Sequence, residues 1–211
     1  MLAVLTATDS LGAPLRHEGF SIRPPKAFHM ARLDLFHGTK VGSIGGSSYL
    51  AAALLDGDGE DAASMLLTVV DAPLDIGLGV RDTLATDVSK ELKDELDQKF
   101  MLERADVVPN QRVEVRGSIR AGSQARQILV AAFPGEAKHT VAIFSVPTGR
   151  WDELRAAIAD SLDSYRVESA GGQAPPRRWA LGFAALLGAT FVVSVGLSRR
   201  RRSERTTYRS G

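Results

Sequence analysis

Four histidines, an acidic turn and a glycine run are the parts of this 211-residue chain whose residue types could do chemistry. The imidazoles are His17, His29, His37 and His139. A metal ion holds its ligands at about 2 Å. His29 and His37 share one side of an alternating stretch, but eight residues separate them. That is roughly 26 Å along a straight strand, too far to share an ion. They read as polar residues at strand ends, and His139 reads the same way.

"DGDGEDAASMLL" (56–67) resembles a calcium loop, with Asp56, Asp58 and Glu60 alternating. Its sixth position is Asp61, where glycine makes the turn, and its twelfth is Leu67, where a glutamate closes the cage. A solvated turn is the plainer reading. "VGSIGGSS" (41–48) lacks the Gly-Lys-Ser/Thr ending of a phosphate loop and has no GxGxxG spacing. The chain contains neither a GxSxG elbow nor HExxH. It has no cysteine, which excludes disulfides, zinc–thiolate sites, iron–sulfur clusters and cysteine nucleophiles. The reading assigns no catalytic residue, no metal ligand and no cofactor, and the chain is not expected to be an enzyme.

Charge is the more informative property. The net +1 hides a strong asymmetry. Residues 198–211 hold six arginines and one glutamate, Arg177 and Arg178 add two charges, and residues 1–176 therefore carry −6. Basic charge sits beside an apolar run while the body is acidic, which is the pattern of a membrane flank and not of a nucleic-acid surface. No nucleic-acid partner is expected.

The body, large enough to bury a core, divides into periodic segments. "GFSIRPPKAF" (19–28) predicts a short strand stopped by Pro24 and Pro25. In 28–37, Ala31, Leu33 and Leu35 share one face against Arg32 and Asp34. Residues 40–55 fit either a strand or a short helix, 56–61 an acidic turn, and 64–73 a buried strand. Over 81–102, Leu84, Val88, Leu92, Leu96 and Phe100 recur every four residues, joined by Ala85 and Met101, which predicts an amphipathic helix. Asp82 or Thr83 is its expected cap.

Three strands follow. In 112–119, Val113, Val115 and Ile119 alternate with charged residues. Segments 125–133 and 140–146 are apolar on both faces, so both their faces must be covered. Pro134-Gly135 between them predicts a tight antiparallel turn at the centre of a sheet. A last helix over 150–165 would bury Trp151, Leu154, Ile158, Leu162 and Tyr165. The sum is an α+β domain with both helices packed on an antiparallel sheet.

At the N-terminus, no basic residue precedes Arg16 and the apolar run Met1–Leu5 is shorter than a signal's core. Residues 1–18 are read as an extension, either a terminus or first strand, or the remnant of a signal that starts upstream. Residues 168–178 are polar and rich in Gly and Pro, hence a linker. Trp179–Leu197 then runs 19 residues without a charge. At 1.5 Å per residue it spans roughly 28 Å, close to the hydrocarbon thickness of a bilayer. Trp179 stands at one edge, with Arg177 and Arg178 before it and Arg199, Arg200, Arg201 and Arg202 after it. This predicts a single transmembrane helix at 179–197 in contact with the lipid bilayer, followed by a basic tail, 198–211.

The arginine bias puts the tail in the cytoplasm and the folded body outside. Such a body needs an export signal. The competing topology is a tail-anchored protein with a cytosolic body, since moderate hydrophobicity with a basic flank is similar to tail anchors as well as to bacterial stop-transfer tails. The extracytoplasmic body is the favoured of the two.

Several motifs together carry a resemblance. "GFSIRPPKAF" resembles the G-[FY]-S-[IV]-x-x-P opening of PsbP-like and DcrB-like domains. A mid-chain amphipathic helix follows, then "VRGSIRAGSQARQILVAAFPGEAKHTVAIFSV", and "IADSLDSYRV" is similar to the family's closing stretch. The match covers Gly19–Val167. Phe28 stands where the family often has an aromatic residue. The doubled Pro24-Pro25 and the C-terminal anchor depart from the common form. The resemblance implies an αβα sandwich around an antiparallel sheet, without catalytic residues. Relatives include extrinsic photosystem subunits, envelope lipoproteins and chaperones of secreted effectors. It therefore implies a binding or assembly role with a protein partner it does not identify. A cytosol-facing adaptor or chaperone is the alternative, and a membrane-tethered hydrolase using Ser or Asp a further one.

Overall fold

The two segments that are apolar on both sides set the architecture. In the computed structural model, which describes residues 10–168 apart from 18, 32–47, 78, 97–99, 109–110 and 122–123, they are adjacent central strands. In chain order the elements are β1 (Leu15–His17), β2 (Phe20–Ile22), β3 (His29–Met30), β4 (Ser48–Asp56), β5 (Ala63–Val70), α1 (Val80–Leu96), β6 (Met101–Val108), β7 (Arg112–Ala121), β8 (Gln124–Phe133), β9 (His139–Pro147), α2 (Trp151–Asp163) and β10 (Arg166–Val167). A seven-stranded sheet runs β3-β4-β5-β9-β8-β7-β6, and a small one runs β1-β2-β10. Every pairing is antiparallel.

Strand alternation sorts the core into two layers. Leu66 and Val70 of β5, Ile128, Val130 and Ala132 of β8, and Val141 and Ile143 of β9 face α1, which contributes Val80, Leu84, Ala85 and Val88. Met65, Leu67 and Val69, Leu129, Ala131 and Phe133, and Ala142, Phe144 and Val146 point the other way. They pack under Leu154, Ile158 and Leu162 of α2 and under Phe20 and Ile22 of the small sheet. Both faces of the central strands are thus covered, as segments apolar on both sides require. A fully buried side chain such as Ile158 or Phe144 contributes about 1.5–3 kcal/mol of transfer free energy. The domain is α+β, with α1 on one face of the sheet and α2 with the small sheet on the other.

The β8–β9 hairpin expected at Pro134-Gly135 sits in the middle of the sheet. Gly135 is required there, because a Cβ on it would overlap the Lys138 carbonyl. The turn is pinned by reciprocal backbone bonds between Leu74 and Gly135, at 2.9 and 3.2 Å. Of the segment that fits strand or helix, the described part from Ser48 is a strand, β4, paired along β5.

The helix expected over 81–102 is shorter and begins earlier. It starts at Val80, just after Gly79 with φ +85, so Asp82 and Thr83 lie inside its first turn instead of capping it. Asp82 instead accepts a 2.9 Å bond from Arg81 Nε. At the other end, Met101 opens a strand, and Phe100 precedes it. The four-residue apolar repeat ran on past Leu96 because Phe100 is also buried on the α1 side, over Gly117 of β7. The side chains of Leu92 and Leu96 lie outside those described.

Residues 10–17, ahead of Gly19, join the fold. Leu15–His17 pairs with β2, Lys26 N donates to Ser10 O at 2.9 Å, and Ser10 Oγ donates to Asp160 of α2 at 2.7 Å. Among the described residues no helix is long and apolar enough to cross a membrane. The expected anchor 179–197, with Trp179, its flanks Arg177, Arg178 and Arg199–Arg202, and the tail 198–211, lies outside the described residues, as does the linker beyond Glu168.

Candidate binding groove

Beside α2 the sheet is left partly open. The helix covers β9 and β8, and the small sheet covers Met65, Leu67 and Val69 of β5, while the same face of β7 and β6 runs out into solvent. This leaves a groove of about 360 Å³, open along one side, between the helix and the last two strands. Its apolar floor is Leu129, Ile158 and Leu162, and Trp151 stands half-buried at its wall.

Strand pairing places the charges. Arg104 lies opposite Arg116, and Asp106 opposite Glu114, so two cations and two anions alternate across β6 and β7. Like charges directly opposite destabilise a sheet, and each here is answered from elsewhere. Arg104 pairs with Asp106 along β6. Arg116 pairs with Glu103 at 3.3 Å and lies over the Trp151 ring at 5.8 Å from its centroid, a cation–π arrangement. Glu103 also accepts a 2.9 Å bond from Gln127. Glu114 accepts a 2.5 Å bond from Arg112 Nε, and Arg112 reaches Asp163 at the end of α2 at 2.8 Å. Arg112 is buried, so this bridge ties the helix C-terminus, with its negative dipole end, to the sheet.

The residues singled out from the sequence fall elsewhere. His139 is fully buried at the start of β9, with Nδ1 2.7 Å from the Ala72 carbonyl, and burial pushes its pKa down. It opens the strand, as expected, and is a core histidine there. His17 stacks on Phe20 at 5.6 Å, His29 is exposed in β3, and His37 lies outside the described residues. In the acidic turn, Asp56 is taken by Arg150 at 2.6 Å, and the same guanidinium reaches the backbone carbonyl of Asp56. Asp61 accepts a 2.8 Å bond from Gln124. An arginine thus occupies the middle of the turn that resembled a calcium loop. The glycine run before Ser48 is outside the description.

Two further groups hold the sheet together: Arg126, whose burial the sequence does not signal, and Tyr165 of the expected α2 stripe, which is half-buried. Arg126 is buried in β8, donating to Ser145 Oγ at 2.8 Å and to the Ala62 carbonyl at 2.6 Å. Desolvation lowers its pKa. Tyr165 stacks on Phe133 at 3.8 Å and donates to Thr140 Oγ1 at 3.0 Å, and burial raises its pKa. Trp151 of the expected stripe is half-buried, packed against the core, and its ring forms the groove's aromatic wall. Strand β6 was missed, because the helix-like repeat ran into it. "MLERADVV" followed by Pro109-Asn110 and a clear strand carried the hairpin signal.

The groove is lined by mutually paired charges, one indole and an aliphatic floor. Such a surface can take an apolar side chain beside polar backbone or charged groups. It brings together no hydroxyl or thiol with a base.

No protein-family sequence model matches the chain, and no curated protein matches it by sequence. Solved structures do match its shape. Cyanobacterial PsbP (CyanoP) from Synechocystis sp. PCC 6803 superposes with a TM-score of 0.55 at 16% identity, over 77% of this chain and 95% of that one. LpqN, involved in cell envelope biogenesis of Mycobacterium tuberculosis, gives 0.45 at 12% identity over 74% and 90%. At such identities the likeness to CyanoP concerns the fold: the described domain is a PsbP-like α+β sandwich.

Proposed function

We propose that this chain is a single-pass membrane protein whose PsbP-like domain is a non-enzymatic binding or assembly module, exposed outside the cytoplasm and docking a protein partner in the groove beside α2. The groove itself is the observation that carries the reading. Its ionisable groups neutralise one another around an accessible indole, which suits recognition of a peptide segment better than activation of a reactant. Elsewhere among the described residues, buried His139 and half-buried Tyr165 are held by backbone or hydroxyl partners in the core. The acidic body, the apolar 179–197 segment and the Arg199–Arg202 cluster support the anchor and its orientation.

The test combines topology and capture. The full chain with a C-terminal tag is expected to stay in carbonate-washed membranes, and its body to be degraded when intact cells are treated with protease. A photo-crosslinker at Arg155 is expected to trap a discrete protein, with loss of that product in Trp151→Ala. Release by carbonate removes the anchor. A protected body favours the tail-anchored, cytosol-facing adaptor. Trapping unchanged by Trp151→Ala removes the groove from the reading.

A further inference from the structure

The seven-stranded sheet ends at β6, and that edge is unusual in what it exposes. Met101, Leu102 and Val107 are three of the five large apolar residues that stand exposed among the described residues, and all lie on this one strand. Pairing to β7 occupies one side of β6, and among the described residues no strand is paired to its other side. Folded proteins usually guard such an edge with a bulge or charges. Strand β6 has both: a register shift at Glu103, and Arg104 with Asp106.

These guards match their own image under rotation. Because Glu103 is the extra residue of the bulge, the ladder positions run Met101, Leu102, Arg104, Ala105, Asp106, Val107, Val108. A two-fold axis at Ala105, normal to the sheet, sets a second copy of the strand antiparallel with the same face up. Arg104 then lies opposite Asp106 of the second copy, Leu102 opposite Val107, and Met101 opposite Val108, each contact occurring twice. Every exposed apolar residue of the edge meets an apolar one, and Arg104 and Asp106 each meet an opposite charge, while Glu103 of the bulge stays paired with Arg116 of its own copy. Keeping the pleat requires the axis to move a whole residue at a time. One step in either direction puts Arg104 on Arg104 or Asp106 on Asp106. A single register is therefore selected.

We infer that two copies of this chain pair antiparallel through β6, joining their sheets into one of fourteen strands. This goes beyond the proposed docking function and does not depend on it. The axis runs normal to the sheet, so the face carrying α2 and β10 points the same way in both copies. Both chains then leave their domains toward one side, as two anchors in one membrane need. The grooves, whose outer walls are β6, become neighbours across the axis. An interface of one strand pair is smaller than the roughly 800 Å² per partner of standard complexes, so affinity in solution is modest. Confinement to a membrane raises the effective concentration.

The test uses the full chain in mild detergent at about 100 µM, where an interface of this small class is populated. Sedimentation velocity is expected to show a dimer. Since the chain has no cysteine, Ala105→Cys gives one thiol at the axis, and oxidation or a short bismaleimide is expected to link it covalently. Asp152→Cys, at an exposed position of α2, is expected to link far less. Arg104→Asp places like charges opposite at two points and is expected to weaken the dimer roughly tenfold. Adding Asp106→Arg restores it, and circular dichroism checks that each variant is folded. A monomer at this concentration, equal linking of both thiols, or a dimer indifferent to the charge reversals overturns the inference. Indifference to reversal in a true dimer points to association through another surface. If a reversal variant fails to fold, the Ala105→Cys and Asp152→Cys comparison decides alone.

Discussion

Gly117→Ala tests the join between α1, Phe100 and the β6 edge. Gly117 lies opposite Leu102 in the β6–β7 ladder, on the face that α1 covers. A Cβ added there would sit 2.4 Å from the Met101 carbonyl oxygen and 2.5–2.6 Å from two atoms of the Phe100 ring. Ordinary contact is about 3.5 Å, so the overlap is about 1 Å. The ring has space to tilt only by disturbing the core beneath α1. The carbonyl belongs to strand backbone and moves only if β6 moves. Overpacking of this kind costs about 1–3 kcal/mol, and the backbone obstacle places this case in the upper half, about 2–3 kcal/mol. With a urea m-value of about 2 kcal/mol/M, the midpoint should fall by roughly 1 M with the slope unchanged. Native-state hydrogen exchange should show β6 amides opening first. Phe100→Leu in the same background should recover only part of the loss, because the carbonyl contact persists. A midpoint within 0.2 M of the parent, or full recovery by Phe100→Leu, would show that the close approach of β6 to Gly117 is not as described.

His139 should make stability fall with acid. Its folded pKa is depressed below the ordinary 6.5 by burial, so the unfolded chain binds the extra proton. The stability it permits is complete above about pH 6.5 and declines as pH falls from there toward the folded value. His139→Gln should flatten this part of the curve in urea titrations, and an unchanged slope refutes the assignment. Ile158→Ala should cost about 2–5 kcal/mol, since its side chain is buried between α2 and the sheet; thermal unfolding reads this, and a loss under 1 kcal/mol contradicts the packing. Arg112→Ala should destabilise more than Asp163→Asn, because the arginine is 7% exposed and the aspartate 63%. Equal effects would mean the bridge is not anchored by the buried partner.

The hydropathy pattern alone determined much of this domain. Segments 125–133 and 140–146 are apolar on both sides, which compels two covering layers, and Pro134-Gly135 compels the hairpin between them. The stripes Leu84-Val88 and Leu154-Ile158-Leu162 located both helices. The charge asymmetry about 179–197 belongs to the sequence as well, because topology signals are counted along the chain.

Other features needed the tertiary structure. Phe100 and Met101 extend a helical repeat in the sequence, yet Phe100 is buried by a glycine seventeen residues further on. Only the fold brings those two together and separates Phe100 from the helix whose repeat it extends. His139 is legible as a polar residue at a strand end, but its burial and its partner, Ala72 sixty-seven residues earlier, come from the fold. The groove joins α2 to strands that end thirty residues or more before the helix begins, and its charges compensate both along strands, as in Arg104–Asp106, and between elements, as in Arg116–Glu103 and Arg112–Asp163. Local periodicity reports which side of an element is apolar. Which elements meet, and which charges they bring face to face, follows from long-range pairing that no local pattern contains.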